Sequence, residues 1–529
     1  MTDILVLAPL VIALATGALT LVVRRWPRVQ RVTSVAGVLA YASAVAAIAW
    51  TVVFRPDATA LGYQVGGWQA PFGITLVADA LAAFMLVLTA VVALYAVAFS
   101  VLFIDLDNQR VYYHPLFQFM LLGMTGAFLT GDLFNLFVWF EVMLMSSYVF
   151  VAFYGNATHT AAAVRYVVLN TVGSVLMLLA IGGLYATLGT LNMADMAVQL
   201  ADPSLDGAPV VGFTGLLLAT FALKAGLVPF QFWVPSAYQA APLPVSAVLA
   251  GAAKKVGIYA IVRVYFTVFS GASVTTTVPF VPVESPLAYL APVLLVMGIA
   301  STLLGGLGAV SRDRIEGVLA YSSLGQVGFI AIPIAIAAGT SSASLRHLGI
   351  LAALIYAFHH ALAKGLLFLA AGAIRDAAGT TAMAELGGLG ERSQLFSVTV
   401  LVGSLSLVGI PPLTGFFGKL LVFEVGAAQY AETPTAGSAA LIGVLLAGAV
   451  LTIVYMTRVW VGGFWGSQTA RVETATVDPR QVGLLATLAA LVVLVGIGFD
   501  PLYRFAEAAA TAAIDTDAYV DIVRMGGEP

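Results

Sequence analysis

The sequence predicts an all-α polytopic membrane protein of about 14 transmembrane helices, with two inverted five-helix repeats that each contain a broken helix. Three observations carry this. The 529-residue chain is 61% hydrophobic and only 9% charged. Soluble domains carry about 25% charged residues, so no soluble fold could hide this much apolar surface. The apolar residues fall in runs of about 20, the length that crosses a hydrocarbon core. Two runs are interrupted by proline and glycine, at "LKAGLVPFQFWVPSAYQAAPLPV" (223–245) and "LVGIPPLTGFFGK" (407–419).

The first run, 4–23, lacks a positive n-region and ends in arginines. It reads as a spanning helix, not a cleaved signal. Further spans are expected at 33–54, 76–101, 113–130, 133–154, 160–188, 210–230, 242–267, 287–309, 314–338, 346–374, 394–427, 438–464 and 481–499. The segment 501–523 carries Arg504, Glu507, Asp515, Asp517 and Asp521 and reads as a surface helix or tail. The chain then divides into a three-helix segment (1–112), a first repeat (113–267), a second repeat (268–465) and a last transmembrane helix with a C-terminal surface segment (466–529). Proline removes a backbone donor, and the freed carbonyls need partners inside protein or beside water. Two breaks in corresponding halves point to a transporter built from inverted repeats. The alternative is that Pro and Gly are simply common in membrane helices.

Arginine sets the orientation. With the N-terminus outside, the first inner loop, "RRWPRVQR", holds four arginines, and other inner loops hold Arg110, Arg165, Arg312, Arg314, Arg375, Arg392, Arg471 and Arg480. The outer side keeps Arg55, Arg263, Arg346, Arg504 and Arg524. By the positive-inside rule both termini face outward, in the cytoplasmic membrane of a cell. The absence of cysteine excludes disulfides, thiolate metal sites and thiol nucleophiles. No HExxH, EF-hand, P-loop, GxSxG or dinucleotide spacing is present, so no metal, cofactor, nucleotide or enzymatic reaction is expected. A net charge of −3 gives no sign of nucleic acid.

The five lysines are Lys224, Lys254, Lys255, Lys364 and Lys419, and every one lies in an expected span, whereas the 18 arginines mostly sit at span edges. A mid-bilayer lysine costs about 2.5–3.5 kcal/mol on insertion scales. Lysine, unlike arginine, can give up its proton inside a protein. Lysines reserved for the interior therefore suggest proton exchange, with snorkelling from a helix end as the alternative. Lys254 and Lys255 are adjacent and point about 100° apart on a helix, so both do not easily face one water path. Lys255 is expected to be the proton carrier. Lys254 is expected to meet an acidic or carbonyl partner, or to tune Lys255 by repulsion, so that Lys255→Ala harms transport more than Lys254→Ala. Glu141, about two turns into its span, is the acid partner, pairing with Lys224 or another interior lysine; an ion pair with Arg165 is the alternative. Asp132 reads as a helix N-cap, and Asp79 lies nearer an interface. "YAFHHALAKGLLF" places His359, His360 and Lys364 in one span, with 360 and 364 on one face. One of the two histidines is expected to relay protons; the sequence leaves open which one.

At these residues the chain resembles the antiporter-like membrane subunits shared by respiratory NADH dehydrogenase (complex I) and Mrp-type multisubunit cation/proton antiporters, over nearly its whole length. The motifs are "LKAGLVPFQFWVPSAYQAAPLPVSAVLAG", "LAYSSLGQVGFI", "FHHALAKGLLFLAAGAI" and "SLSLVGIPPLTGFFGK". "GGWQAPFGITLVADALAAF", "HPLFQFMLLGMTGAFLTGDLFNLFVWFEVML" and His359–His360 make it most similar to the D-type members of the Mrp group. The resemblance implies that Glu141, Lys224, Lys255, Lys364 and Lys419 sit at the family's relay positions along a hydrated mid-membrane axis. It also implies partner subunits, and exchange of protons for sodium, or for lithium or potassium. Lys254 departs from the pattern, since the usual residue there is uncharged. Gln326 stands where several complex I relatives carry histidine. The leading expectation is a proton-translocating subunit of a sodium/proton antiporter. The alternatives are a pump subunit of a redox complex and a non-transporting scaffold, and the lysine pattern speaks against the scaffold. No set of converging carboxylates marks a sodium cage, which assigns sodium's crossing to a neighbouring subunit or an interface.

Overall fold

The computed structural model describes residues 3–106, 109, 112–202, 205, 208–272, 276–278, 281–283 and 285–525. Arg110, one of the topology arginines, lies outside the described residues. The helices in chain order are α1 (Ala8–Val22), α2 (Pro27–Ala49), α3 (Ala80–Phe103), α4 (Tyr113–Leu129), α5 (Leu133–Val151), α6 (Ala157–Leu188), α7 (Met193–Leu200), α8 (Ala208–Ala225), α9 (Val234–Ala240), α10 (Leu243–Val248) and α11 (Lys254–Val262). They continue with α12 (Pro286–Val310), α13 (Ile315–Gly339), α14 (Ala343–Ala378), α15 (Gln394–Val408), α16 (Thr414–Glu432), α17 (Ala436–Val459), α18 (Ala470–Thr474), α19 (Pro479–Ile497), α20 (Asp500–Ile514) and α21 (Thr516–Met525). Among the described residues, 12 helices are long and apolar enough to cross a membrane. The expected span at 113–130 is the 17-residue α4. The one at 394–427 is divided into α15 and α16 around Gly409–Leu413.

The loops depart from an all-α reading. Strands β1 (Leu61–Gln64) and β2 (Thr75–Ala78) pair antiparallel, Leu61 opposite Ala78. Strands β3 (Thr276–Val278) and β4 (Val281–Val283) form a second, shorter hairpin. Both lie between helices and leave the helical body intact.

Helix starts follow local capping chemistry. Asp79 accepts the Ala82 amide at 2.9 Å to begin α3, and Asp132 accepts that of Asn135 at 2.7 Å to begin α5, as expected of Asp132. Burial raises the Asp132 carboxyl above the ordinary range, while the amides of its cap oppose that shift.

Three rods form the centre. The continuous stretch Leu243–Val268 joins α10 and α11 through the π-helical turn Leu249–Ala253 and ends in another, Arg263–Val268. It is buried at every position, as is α14 from Gly349 to Ile374. The third rod, α13, is buried from Ile315 to Ala338 except at Tyr321. Rods wrapped in other helices have no lipid face, so an uncharged polar or cationic side chain on them meets protein, not hydrocarbon.

Both expected breaks are present. After α8 the chain turns at Gly226, φ 70°, and runs through a 3-10 turn, Gln231–Trp233, into α9. The freed groups find partners. Trp233 Nε1 donates to Leu223 O at 2.9 Å, and the Val228 amide donates to Ser301 Oγ at 2.9 Å. After α15 the chain turns at Gly409, φ 96°, before α16 resumes at Thr414. Left-handed backbone of this kind favours glycine. Partners for the Leu223 carbonyl and the Val228 amide are what a bilayer demands of an interrupted helix.

The C-terminal segment is more than a tail. Leu502, Phe505, Ala506, Ala509, Ala510 and Ala513 of α20 are buried, as are Tyr519, Val520 and Val523 of α21. Thr267 Oγ1 donates to Ala513 O at 2.7 Å, and Gln64 Nε2 donates to Val523 O at 3.0 Å. The two helices therefore cover one end of the central rods.

Candidate functional site

All five lysines are buried. Among the described residues none of them forms an ion pair; every described ion pair uses an arginine. Their donors go to hydroxyls, carbonyls and one imidazole.

Lys224 lies in the last turn of α8, just before the first break. Its Nζ donates to Ser174 Oγ at 3.3 Å and to Asn170 O at 3.4 Å, both on α6. The Ser174 hydroxyl reaches Glu141 Oε1 and, at 2.9 Å, Asn170 O. Its single hydrogen serves one of them at a time. The expected Glu141–Lys224 pairing is thus indirect, with a serine standing between acid and amine. The alternative pairing, Glu141 with Arg165, is absent from the ion pairs among the described residues. Glu141 itself is half-buried.

The middle of the site is built on the three central rods. Lys255 Nζ donates to Ala250 O at 2.6 Å and lies 2.6 Å from His360 Nδ1. The other ring nitrogen, His360 Nε2, lies 3.5 Å from Ser323 Oγ. Lys254 Nζ donates to both Ser323 Oγ and Ser323 O, each at 3.1 Å. Lys254 therefore meets a carbonyl on a neighbouring helix, as expected. The two lysines take different partners, Lys254 on Ser323 of α13 and Lys255 on His360 of α14. What joins them is the Ser323 hydroxyl, which lies 3.5 Å from His360 Nε2.

Lys364 shares the α13-facing side of α14 with His360, as the i, i+4 spacing predicts. Its Nζ donates to Leu319 O at 2.9 Å and to Ser322 Oγ. His359 points to the second break. Its Nδ1 lies 3.3 Å from Thr414 Oγ1 and 3.4 Å from Ser406 Oγ, and its Nε2 has no partner. Lys419 Nζ donates to Val408 O, the last residue of α15, at 2.7 Å. A cation there satisfies an orphan carbonyl and meets the negative end of the helix dipole. Gln326 binds Tyr455 OH at 2.9 Å and Thr452 Oγ1 at 3.2 Å through its amide, and accepts from Tyr356 OH.

Two charged clusters lie apart from these groups. Asp79 accepts twice from Arg263 Nη2, at 2.7 and 2.6 Å, with both residues buried. Arg263 also stacks over Tyr519 of α21, 4.7 Å from the ring centre. Arg263 thus belongs to the interior and not to an outer loop. At the arginine-rich end, Glu316 pairs with Arg314 at 2.8 Å and with Arg375 at 3.3 Å. These line a cleft of about 980 Å³ with Asp105, His159 and Asp376.

Sequence reasoning missed Ser174, Ser322, Ser323, Ser406 and Thr414. Serines 322 and 323 stand in "LAYSSLGQVGFI", so a doubled hydroxyl on a buried helix was the available signal. Ser174 carried none, because one serine in a 32-residue helix is ordinary in composition.

Known proteins match this chain along its length. A family model described as "NADH:quinone oxidoreductase/Mrp antiporter, TM" matches residues 130–433. The D-type component of a Na(+)/H(+) antiporter from Alkalihalophilus pseudofirmus is 32% identical over 523 residues, covering 98% of this chain and 99% of the relative. The N-type component of an NADH-quinone oxidoreductase from Desulforudis audaxviator is 30% identical over 512 residues, covering 95% of each. Among solved structures, a chain of the Mrp complex from Dietzia sp. superposes with a TM-score of 0.86 at 27% identity, covering 99% of this chain and 100% of that one. By its matched domain and its full-length relatives, the chain belongs to the NADH:quinone oxidoreductase/Mrp antiporter family of membrane subunits.

Proposed function

We propose that this chain is the D-type, proton-translocating membrane component of a multisubunit sodium/proton antiporter. Protons move along a mid-membrane chain of Glu141, Lys224, Lys255, His360, His359, Lys364 and Lys419. The observation that supports this is five buried lysines held by hydroxyls, carbonyls and an imidazole instead of by carboxylates. The same chain holds a static buried cation differently: Arg263 receives a bidentate carboxylate. An amine left with neutral partners can switch its charge; a guanidinium on a carboxylate cannot.

The mechanism is charge switching. A proton arriving at Glu141 neutralises the carboxylate that favours the charged form of Lys224 through Ser174. Lys224 then releases its proton toward the centre, and successive lysines and histidines pass protons to the second break. Such coupled groups titrate as a set. Two repeats, 113–267 and 268–465, each with one break beside a lysine, are the architecture we assign. The helices of 113–129 and of 394–432 complete a count of about 14 spans. The arginine-rich loops face the cytoplasm and both described ends face outward, by the positive-inside rule. Sodium, or lithium or potassium, crosses at a partner subunit or an interface.

The relative named as an NADH-quinone oxidoreductase component favours a second reading, in which the same path is driven by a redox partner. Genomic neighbours separate the two: small antiporter subunits in one case, iron–sulfur and quinone-site subunits in the other.

The test uses everted vesicles that lack native antiporters and carry the whole assembly. Sodium-induced dissipation of a pH gradient should fall at least tenfold in Lys224→Ala and in Glu141→Ala. Wild-type signal in both would make the relay wrong.

A further inference from the structure

Lys254 is the interior lysine that the relay above does not use, yet it sits on the same hydrogen-bonded chain. It is 1% exposed. Its Nζ donates to Ser323 Oγ at 3.1 Å, and that hydroxyl lies 3.5 Å from His360 Nε2. Lys255 occupies the opposite ring nitrogen, 2.6 Å from Nδ1. The stem of Lys254 also reaches the first break. A Cβ placed on Gly226 would lie 3.9 Å from both its Cε and its Nζ, and Gly226 follows Lys224 by two residues. One turn beyond Lys254, Gly257 packs against the end of α8, where an added Cβ would meet Ala225 N at 2.6 Å.

We infer that Lys254 is a second proton-carrying arm of the relay, exchanging protons with the Nε2 side of His360 through the Ser323 hydroxyl while Lys255 serves the Nδ1 side. This rests on the relay reading above. The transfer balances without any co-reactant. A Lys254 N–H bond breaks, and its proton joins Ser323 Oγ as that oxygen gives its own proton to Nε2. The Nδ1–H bond then breaks and its proton passes to the neutral Lys255 amine. One proton has moved from Lys254 to Lys255, the serine is restored, and the ring has changed tautomer. The reverse transfer, from Lys255 to Nδ1 and from Nε2 through Ser323 to Lys254, restores the first tautomer, so the arm takes up and returns one proton at a time. His360 thus joins two amines that are never required to be charged together, which removes the repulsion that two adjacent ammonium groups would otherwise face.

The experiment uses the whole assembly in everted vesicles, reading sodium-induced dissipation of a pH gradient, with assembled complex quantified on native gels. Lys254→Met should lower the rate at least tenfold at normal assembly. Lys254→Arg should do the same, because arginine keeps the charge but does not release the proton. Ser323→Ala should lower it comparably, and adding it to Lys254→Met should cause no further loss, since the two act in series. A wild-type rate in Lys254→Arg would show that a fixed charge suffices and would overturn the inference. So would a wild-type rate in Ser323→Ala. Should Lys254→Met fail to assemble, those two variants decide alone. Lys224→Ala and Lys255→Ala are run alongside. If they retain wild-type rates, the relay reading fails; if they lose transport while the Lys254→Arg and Ser323→Ala variants keep it, only this inference fails.

Discussion

A buried cation can be held in two ways, and this chain uses both. Arg263 is fixed by Asp79, and breaking such a pair leaves an uncompensated charge that costs about 3–5 kcal/mol, whereas replacing both partners with apolar residues can be neutral. Asp79→Leu should therefore lower the unfolding temperature of the purified assembly markedly, and Asp79→Leu with Arg263→Leu should recover most of the loss. Equal destabilisation by the single and double variants would refute the pairing as the cause. The lysines are held by neutral groups, which makes hydroxyls the decisive residues. Ser174 carries the hydrogen-bond contact between Lys224 and Glu141. A hydrogen bond to a charged group is worth about 1.5–3 kcal/mol, so Ser174→Ala should slow sodium-driven proton movement about tenfold or more. An unchanged rate would mean that the acid and the amine communicate by another route. The lysines and Glu141 were legible because a charge in an apolar run is costly and conspicuous. The serines were not, because a hydroxyl costs little anywhere along a buried helix and its role depends on a residue far away in the chain.

At the scale of elements, proline and glycine announced both breaks, and hydropathy announced the 12 described helices that are long and apolar enough to cross a membrane, since both are local properties of the chain. What they could not announce is how the central rod is wound. Its π-helical turn, Leu249–Ala253, immediately precedes the paired lysines, and such bulges shift side chains relative to a regular helix. The step of about 100° between the two lysines still holds, because both follow the turn on the regular helix α11; what was hidden is that Ser323 and His360, their separate partners, lie close together. The second break makes a sharper claim about geometry. Gly409 has φ 96°, and a Cβ there would lie 2.9 Å from Lys419 Cδ. Left-handed backbone costs a residue with a Cβ about 1–2 kcal/mol, and the added carbon also pushes Lys419 away from Val408 O. Gly409→Ala should thus lower transport severalfold while lowering the unfolding temperature only modestly. A large stability loss with normal transport per assembled complex would place the importance of Gly409 in folding and not in holding Lys419.

The whole molecule leaves Glu141 in an unusual position. On α5, residues Phe134, Val138, Glu141, Met145 and Val149 share one face, and Phe134, Met145 and Val149 are exposed. The neighbouring α6 adds exposed Val175, Leu178 and Leu179. A half-buried carboxylate in the middle of a spanning helix cannot rest against hydrocarbon without a large desolvation cost. The exposed apolar residues around it are ordinary for a lipid face; the acid among them is not. The proposed assembly predicts a partner subunit over this face, in line with relatives that are components of multisubunit assemblies. The chain has no cysteine, so Met145→Cys introduces a single thiol for a nitroxide label one turn from Glu141. In the isolated chain in lipid, that label should be accessible to membrane-dissolved oxygen. In the full assembly its accessibility should fall severalfold, because protein replaces lipid over this face. A label equally accessible in both would show that the face opens to lipid in the working complex, and Glu141 would then have to be neutral or reached by water from within.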